Sequence, residues 1–280
     1  KIKIVLRKKN YGLSKNITHA VGSIIRKYGK IIVLEDDIIV SANFLDYMNK
    51  ALNKFKSNKK VWHINSWNYD FGKLNSQSNT YFTRLMNCWG WGTWSDRWKH
   101  YNKNTKKILN NFSSQDIFRF NMNNKINYWS QILRNKSGAI NTWAVFWYAN
   151  IFKKEGLCLS PTSSLSKNIG FDNLSENQPN EYNSFENIDK NFFIKKKVNF
   201  FFPYNIKENK IFFNKIISKN NLIKKKSILS RIIVKLLNII SFSSYTSAYF
   251  FSRFLLMSHY ESNSINEFKI KSLKNQKYIN

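Results

Sequence analysis

The sequence predicts an α/β fold, and three observations carry that expectation. An apolar repeat at helical spacing runs into a β-branched run, the run stops at consecutive acids, and a second helical repeat follows. Helix and strand alternating in this way is the pattern of a sheet built by crossover connections. A chain of 280 residues with 42% hydrophobic and 16% aromatic content buries a substantial core, as one large domain or one domain with an appendage. Disorder throughout is excluded.

In order, Lys3-Ile4-Val5-Leu6 reads as a short strand and Asn10-Tyr11-Gly12 as a turn, since Asn and Gly tolerate positive φ. Because Lys1 to Val5 already reads as strand, the sequence is expected to open inside a domain. Ser14 is placed to cap a helix with Ile17, Ala20, Val21, Ile24, Ile25 and Tyr28 at helical spacing, and Gly29 stands where a C′ glycine belongs. Ile31-Ile32-Val33-Leu34 then lacks polar alternation, as a strand buried on both faces does. It ends at Glu35-Asp36-Asp37. After Ile38-Ile39-Val40, Ser41 or Asn43 caps a helix with Phe44, Tyr47, Met48, Ala51 and Phe55 inward.

Val61 to Asn65 and Thr80 to Thr83 read as further strands. The segment from Cys88 to Trp98 sets Gly90 and Gly92 between Trp89, Trp91 and Trp94, too aromatic for a surface loop and too Gly-rich for a strand interior. Residues 108–133 read as helical with polar interruptions, and 143–152 as an apolar helix. Residues 172–210 are polar and Asn-rich, an extended or flexible arm, while 211–256 mix Lys clusters with apolar residues at the spacing of a basic amphipathic helix. Such a helix either lies in a lipid headgroup layer or docks on the core.

Lys and Arg total 46 against 16 Asp and Glu, a formal charge of +30. That excess attracts polyanions, anionic lipid headgroups or phosphorylated substrates, unless it is a solvated basic face. Its density near 195–226 suits a membrane surface better than base readout, so no nucleic-acid partner is expected. Cys88 and Cys158 are too few for a disulfide framework and lack zinc-site spacing, so a reducing cytoplasmic setting is the default. No uninterrupted apolar run of about 18 residues argues for a membrane span.

Three successive acids after a hydrophobic strand repel one another and resist desolvation. A divalent cation compensates them, and Mg²⁺ takes carboxylate oxygens together with substrate phosphates at the carboxyl ends of strands. The alternative is a surface turn whose acids favour the next helix N-terminus. Lys15 and His19 on the preceding helix add positive or hydrogen-bonding contacts to such a site, or are plain surface. In the tryptophan segment, aromatic faces pack against sugar C–H faces and glycines let backbone approach a ligand; core packing is the alternative. Asp96 beside it is a candidate general base, against a surface pairing with Arg97.

Tyr28 to Asp37, Phe44 to Tyr47, Cys88 to Trp94, Gly156 to Pro161 and Asn168 to Asp172 together resemble bacterial GT-A sugar transferases of surface-polysaccharide clusters. They are also distantly similar to the N-acetylglucosaminyltransferase I family. The resemblance covers about Ile2 to Asp172. It implies a GT-A mixed sheet flanked by helices, N-terminally truncated, as a catalytic domain at 1–172; composition and spacing add a polar arm at 173–210 and a basic helical tail at 211–280. It also implies a UDP-sugar donor, Asp37 as the ligand of Mn²⁺ or Mg²⁺, and Glu35 and Asp36 on the donor ribose or sugar. Trp89, Gly90, Trp91 and Trp94 would line donor sugar and acceptor, and Asn168 to Asp172 would lie near the nucleotide. The eukaryotic relatives carry an acidic base just after a tryptophan matching Trp143, where Ala144 and Val145 stand here. The base therefore falls to Asp96, Asp116 or Asp172. The expected activity is inverting transfer to a saccharide or lipid-linked acceptor in cell-surface polysaccharide synthesis, with the enzyme peripheral at the inner face of the cell membrane. Two other functions stay open: a catalytically inactive truncated relative, and a basic membrane-associated binding module.

Overall fold

β-branched and aromatic residues build a mixed sheet with helices on both faces. The computed structural model describes residues 2–71, 79–170 and 198–220. By its contacts the chain divides into two compact units, Lys1–Lys167 with Asp189–Ile217, and Asn168–Ile188 with Ser218–Asn280. The second is described only at 168–170 and 218–220.

Helix α1 (Gly12–Tyr28) leads through Gly29 into β1 (Lys30–Val33). Gly29 takes the left-handed conformation at φ 75° and returns its N–H to Ile25 O, as the C′ position demands. The helix starts earlier than Ser14: Asn10 Oδ1 accepts from Gly12 N at 2.7 Å, and Ser14 sits inside the first turn with its hydroxyl donating to Thr142 O at 3.3 Å. Its buried stripe is narrower than the repeat suggested, with Val21 and Ile25 inside while Ile24 and Tyr28 face outward. Strand β2 (Ile38–Val40) follows the acids, then α2 (Phe44–Lys54), which buries Phe44, Tyr47, Met48 and Ala51 as expected. Neither Ser41 nor Asn43 caps it through its side chain.

The remaining strands are β3 (Val61–Asn65), β4 (Thr80–Thr83), β5 (Trp91–Trp94), β6 (Leu157–Pro161) and β7 (Ser166–Asn168). The main sheet runs β1-β5-β3-β6-β4, and β2 pairs separately with β7. β5 is antiparallel to both β1 and β3, while β3 and β6 are parallel. The carboxyl ends of β1, β3 and β6 therefore share one rim.

One sheet face is covered by α2, joined by Phe200 and Phe202 on Tyr47 and Phe55. The other carries α3 (Ser95–Trp98), α4 (Thr105–Asn111), α5 (Ser114–Phe120), α6 (Trp129–Lys136), α7 (Ala144–Lys153) and α1, around a core rich in Trp and Phe. The fold is thus α/β with a mixed sheet flanked by helices, consistent with the GT-A type.

Further expectations change. Residues 3–6 join neither sheet; Ile4 and Leu6 are 78% and 90% exposed. β-propensity needs a partner strand to satisfy the backbone, and residues 3–6 pair with none of the described strands, although β1 stands at the edge of the sheet. The tryptophan segment holds a central strand, β5, despite its glycines. Of the expected arm, residues 198–209 are described, without helix or strand, and they are tied to β4 rather than flexible: Thr80 Oγ1 donates to Phe201 O, Asn209 N to Phe82 O, and Glu208 pairs with Arg84. The helical stretch 210–220 buries Phe212, Phe213 and Ile216 in the core, Phe212 stacking on Tyr81 at 3.8 Å. The rest of the expected amphipathic tail lies outside the described residues, and no described helix is long and apolar enough to cross a membrane.

Candidate functional site

Because β1 buries Val33 and then runs out of sheet, the next residues emerge at the rim. Glu35 and Asp37 are half-buried, Asp36 is exposed, and a turn closes from Ile38 N to Glu35 O at 3.2 Å. Burial, with Asp37 and Asp36 adding repulsion, pushes the Glu35 carboxyl up from 4.5 to about 7, against a hydrogen bond from the Trp143 side chain. Asp37 Oδ1 is sheltered from solvent. The half-buried Cys88 thiol is raised as well, by burial and then by the charges of Glu35 and Asp37, which sets it beside the acids. Loops after β1 and before β5 and the residue before α7 thus converge on the acidic turn.

The tryptophan segment divides at Gly90. Trp91 and Trp94 are 0% and 2% exposed: Trp91 stacks on Trp143 and His63, and Trp94 donates its ring N–H to Leu52 O at 2.9 Å. Both are core, so neither offers a face to a sugar, and the expectation that they line the donor is corrected. The glycines answer to packing. At Gly90, with φ 81°, a Cβ would fall 2.4 Å from Ser66 Oγ, and at Gly92 one would fall 2.9 Å from the β1 carbonyl of Ile31. Trp89 alone remains half-exposed, its backbone oxygen held by the Ser166 hydroxyl at 2.5 Å.

Asp96 is also corrected. Lys30 pairs with Trp94 and Val33 with Trp91, so Asp96 stands at the rim opposite the acids, roughly 15–20 Å from Glu35 by strand rise. Burial would raise its carboxyl, but hydrogen bonds from Arg97 and Lys59 outweigh that and hold it below the usual range. Arg97 in turn reaches the carbonyls of Phe55, Lys56, Asn58 and Val61 beyond α2. Asp116 is likewise structural, closing a capping box with Ser113 and pairing with Lys153 at 3.0 Å. Asn168 ends β7 and accepts from Gly170 N at 2.7 Å. Asp172 lies outside the described residues.

Lys15 and His19 are exposed on the first half of α1, Lys15 over the Tyr11 ring at 5.1 Å and His19 Nδ1 3.1 Å from Arg7. Through Ser14 and Thr142, this end of the helix stands next to Trp143 and hence near the acids.

Among the described residues, no group of three or more His, Cys, Asp or Glu side chains is arranged to hold a metal ion. A protein cage is not what a diphosphate-bound cation requires: Mg²⁺ uses one or two carboxylates and completes its shell with phosphate and water. Hard oxygens in a crowded, half-buried acidic turn fit that role.

Sequence reasoning did not find Trp143 as the partner of Glu35, Cys88 beside the acids, or Trp67, half-exposed immediately beyond the carboxyl end of β3. Position past a parallel strand end was the available signal for Trp67. The other two depend on contacts across the sheet.

Residues 8–107, from before α1 to the start of α4, match the family model described as GNT-I family. The match relates this part of the chain to GNT-I-like glycosyltransferases. No curated protein matches the chain.

Proposed function

We propose that the protein transfers a sugar from a nucleotide-diphosphate sugar, a UDP-sugar by preference, to a saccharide or lipid-linked acceptor in cell-surface polysaccharide synthesis. The observation that carries this is the acidic turn at the shared carboxyl rim of β1 and β3, crowded enough to lift Glu35 to about 7. The family match over the same residues supports it.

In this reading Asp37 holds Mn²⁺ or Mg²⁺, which when bound neutralises charge on the leaving diphosphate. Glu35, fixed in direction by Trp143, and Asp36 face the donor ribose or sugar. Lys15 and His19 supply positive charge and hydrogen bonding on the flank of the donor. The acceptor base is a carboxylate other than Asp96, with Asp172 as the candidate. The excess of cations supports peripheral association with the anionic inner face of the cell membrane.

Calorimetric titration of UDP into the folded chain, with and without Mn²⁺, tests the reading. Metal-dependent binding that disappears in Asp37→Ala is the expected result. UDP binding indifferent to metal and to Asp37 would refute the assignment of the acids.

A further inference from the structure

The rim beside the acids carries a second feature, of which the donor reading takes up only Trp89. Trp67 follows β3 and Trp89 precedes β5; both are half-exposed, and their rings meet edge to face at 4.8 Å. Tyr69 continues the row at 4.7 Å from Trp67. Trp89 neighbours Cys88, whose thiol feels the charges of Glu35 and Asp37, so the row starts at the acidic turn and leads away from it.

Beneath Trp67 and Tyr69 lies a partly open cavity of about 10 Å³, space for one hydroxyl or water. Thr83, 1% exposed, lines it, and its hydroxyl has no hydrogen-bond partner among the described residues. Two of the neighbouring amides are already committed: Asn65 Nδ2 donates to Leu85 O and the Ser160 hydroxyl, and Asn68 Nδ2 to Pro161 O. A buried hydroxyl left unpaired costs stability unless something polar completes it.

We propose that Trp67, with Trp89, is the platform on which the acceptor saccharide lies, and that the Thr83 cavity receives one of its hydroxyls. Sugars are amphipathic: a C–H face rests on an aromatic ring while hydroxyls seek isolated polar groups at its edge, and both are offered here around one cavity, by the loop after β3 and by Thr83 of β4. The position beside the acidic turn suits an acceptor approaching a donor sugar held there, so the assignment rests on the transferase reading of that turn.

The test separates the two. The full chain is titrated, without nucleotide or metal, with chitotriose, cellotriose and maltotriose, following tryptophan fluorescence and ligand-observed NMR. UDP with Mn²⁺ is titrated in parallel. We expect at least one trisaccharide to bind, roughly tenfold more weakly to Trp67→Ala, with Trp67→Phe close to wild type and Thr83→Val weakened less than Trp67→Ala. UDP binding should be the same in all three variants. Saccharide binding unaffected by Trp67→Ala, or absent from the folded wild type, overturns the platform. Loss of UDP binding in the wild type refutes the donor reading and leaves the saccharide result to stand by itself.

Discussion

The two ends of the β1–β5 pair hold carboxylates in opposite circumstances. At the carboxyl end of β1, Glu35 is pushed up to about 7 by burial and by Asp37 and Asp36. At the other end, Asp96 is held below its usual range because Arg97 and Lys59 outweigh the effect of burial. One end concentrates negative charge and leaves it raised; the other balances it within the fold. A structural acid comes with its cation supplied by the chain, whereas an acid raised by burial and by its acidic neighbours suits a charge that arrives from outside.

The largest expected effect breaks the balanced end. Arg97 is 2% exposed and serves Asp96 together with the carbonyls of Phe55, Lys56, Asn58 and Val61. Arg97→Met keeps much of the volume but strands those acceptors, and should lower stability by about 3–5 kcal/mol. Urea unfolding of the variant measures this. A loss within the range of ordinary surface substitutions would show that the far end is not held as described.

The crowded end gives a smaller, pH-dependent effect of the opposite sign. Because the folded pKa of Glu35 lies above its unfolded value, the folded state binds the proton more tightly. Stability from this group therefore falls as pH rises from 4.5 to about 7, and the full cost, at most about 3 kcal/mol, is present above that range. Glu35→Gln should melt higher than wild type at pH 8 in metal-free buffer and close to it at pH 4.5. His63, buried and lowered to about 3, loses stability in the acid direction in both proteins, so the difference between their melting curves isolates Glu35. Parallel pH profiles would mean that the acids are better solvated than the geometry indicates.

Much of the scaffold was legible because it follows local periodicity. The inner face of α2, the Gly29 stop, strands β3 and β4 and helix α7 all obey one repeat with its own boundary signals. Strand β5 was not, since the reason for Gly92 is the Ile31 carbonyl of the neighbouring strand, which nothing near Gly92 in sequence announces. The acids could be picked out as a run, but their partner Trp143 lies more than a hundred positions away, and the hydrogen bond exists only once α7 has packed. Trp89, Trp91 and Trp94 look alike in sequence; an interior strand covered on both faces buries the latter two, one on each face, while Trp89 precedes that strand and stays at the rim.

Asp96 shows the same gap between composition and place, and it supplies the smallest effect. As a carboxylate beside a tryptophan-rich segment it invites a catalytic role, yet the register of β5 carries it away from the acids. Its side chain is 34% exposed, so its pairs with Lys59 and Arg97 are partly screened. Asp96→Asn retains a group that can accept from Arg97 and should cost only about 0.5–1 kcal/mol, measured by urea unfolding. Metal-dependent UDP binding should be unchanged, and any sugar transfer the wild type performs should survive in the variant. If transfer collapses while stability and UDP binding hold, the two ends are not divided into structural and functional acids, and the base must be sought at the Arg97 end instead.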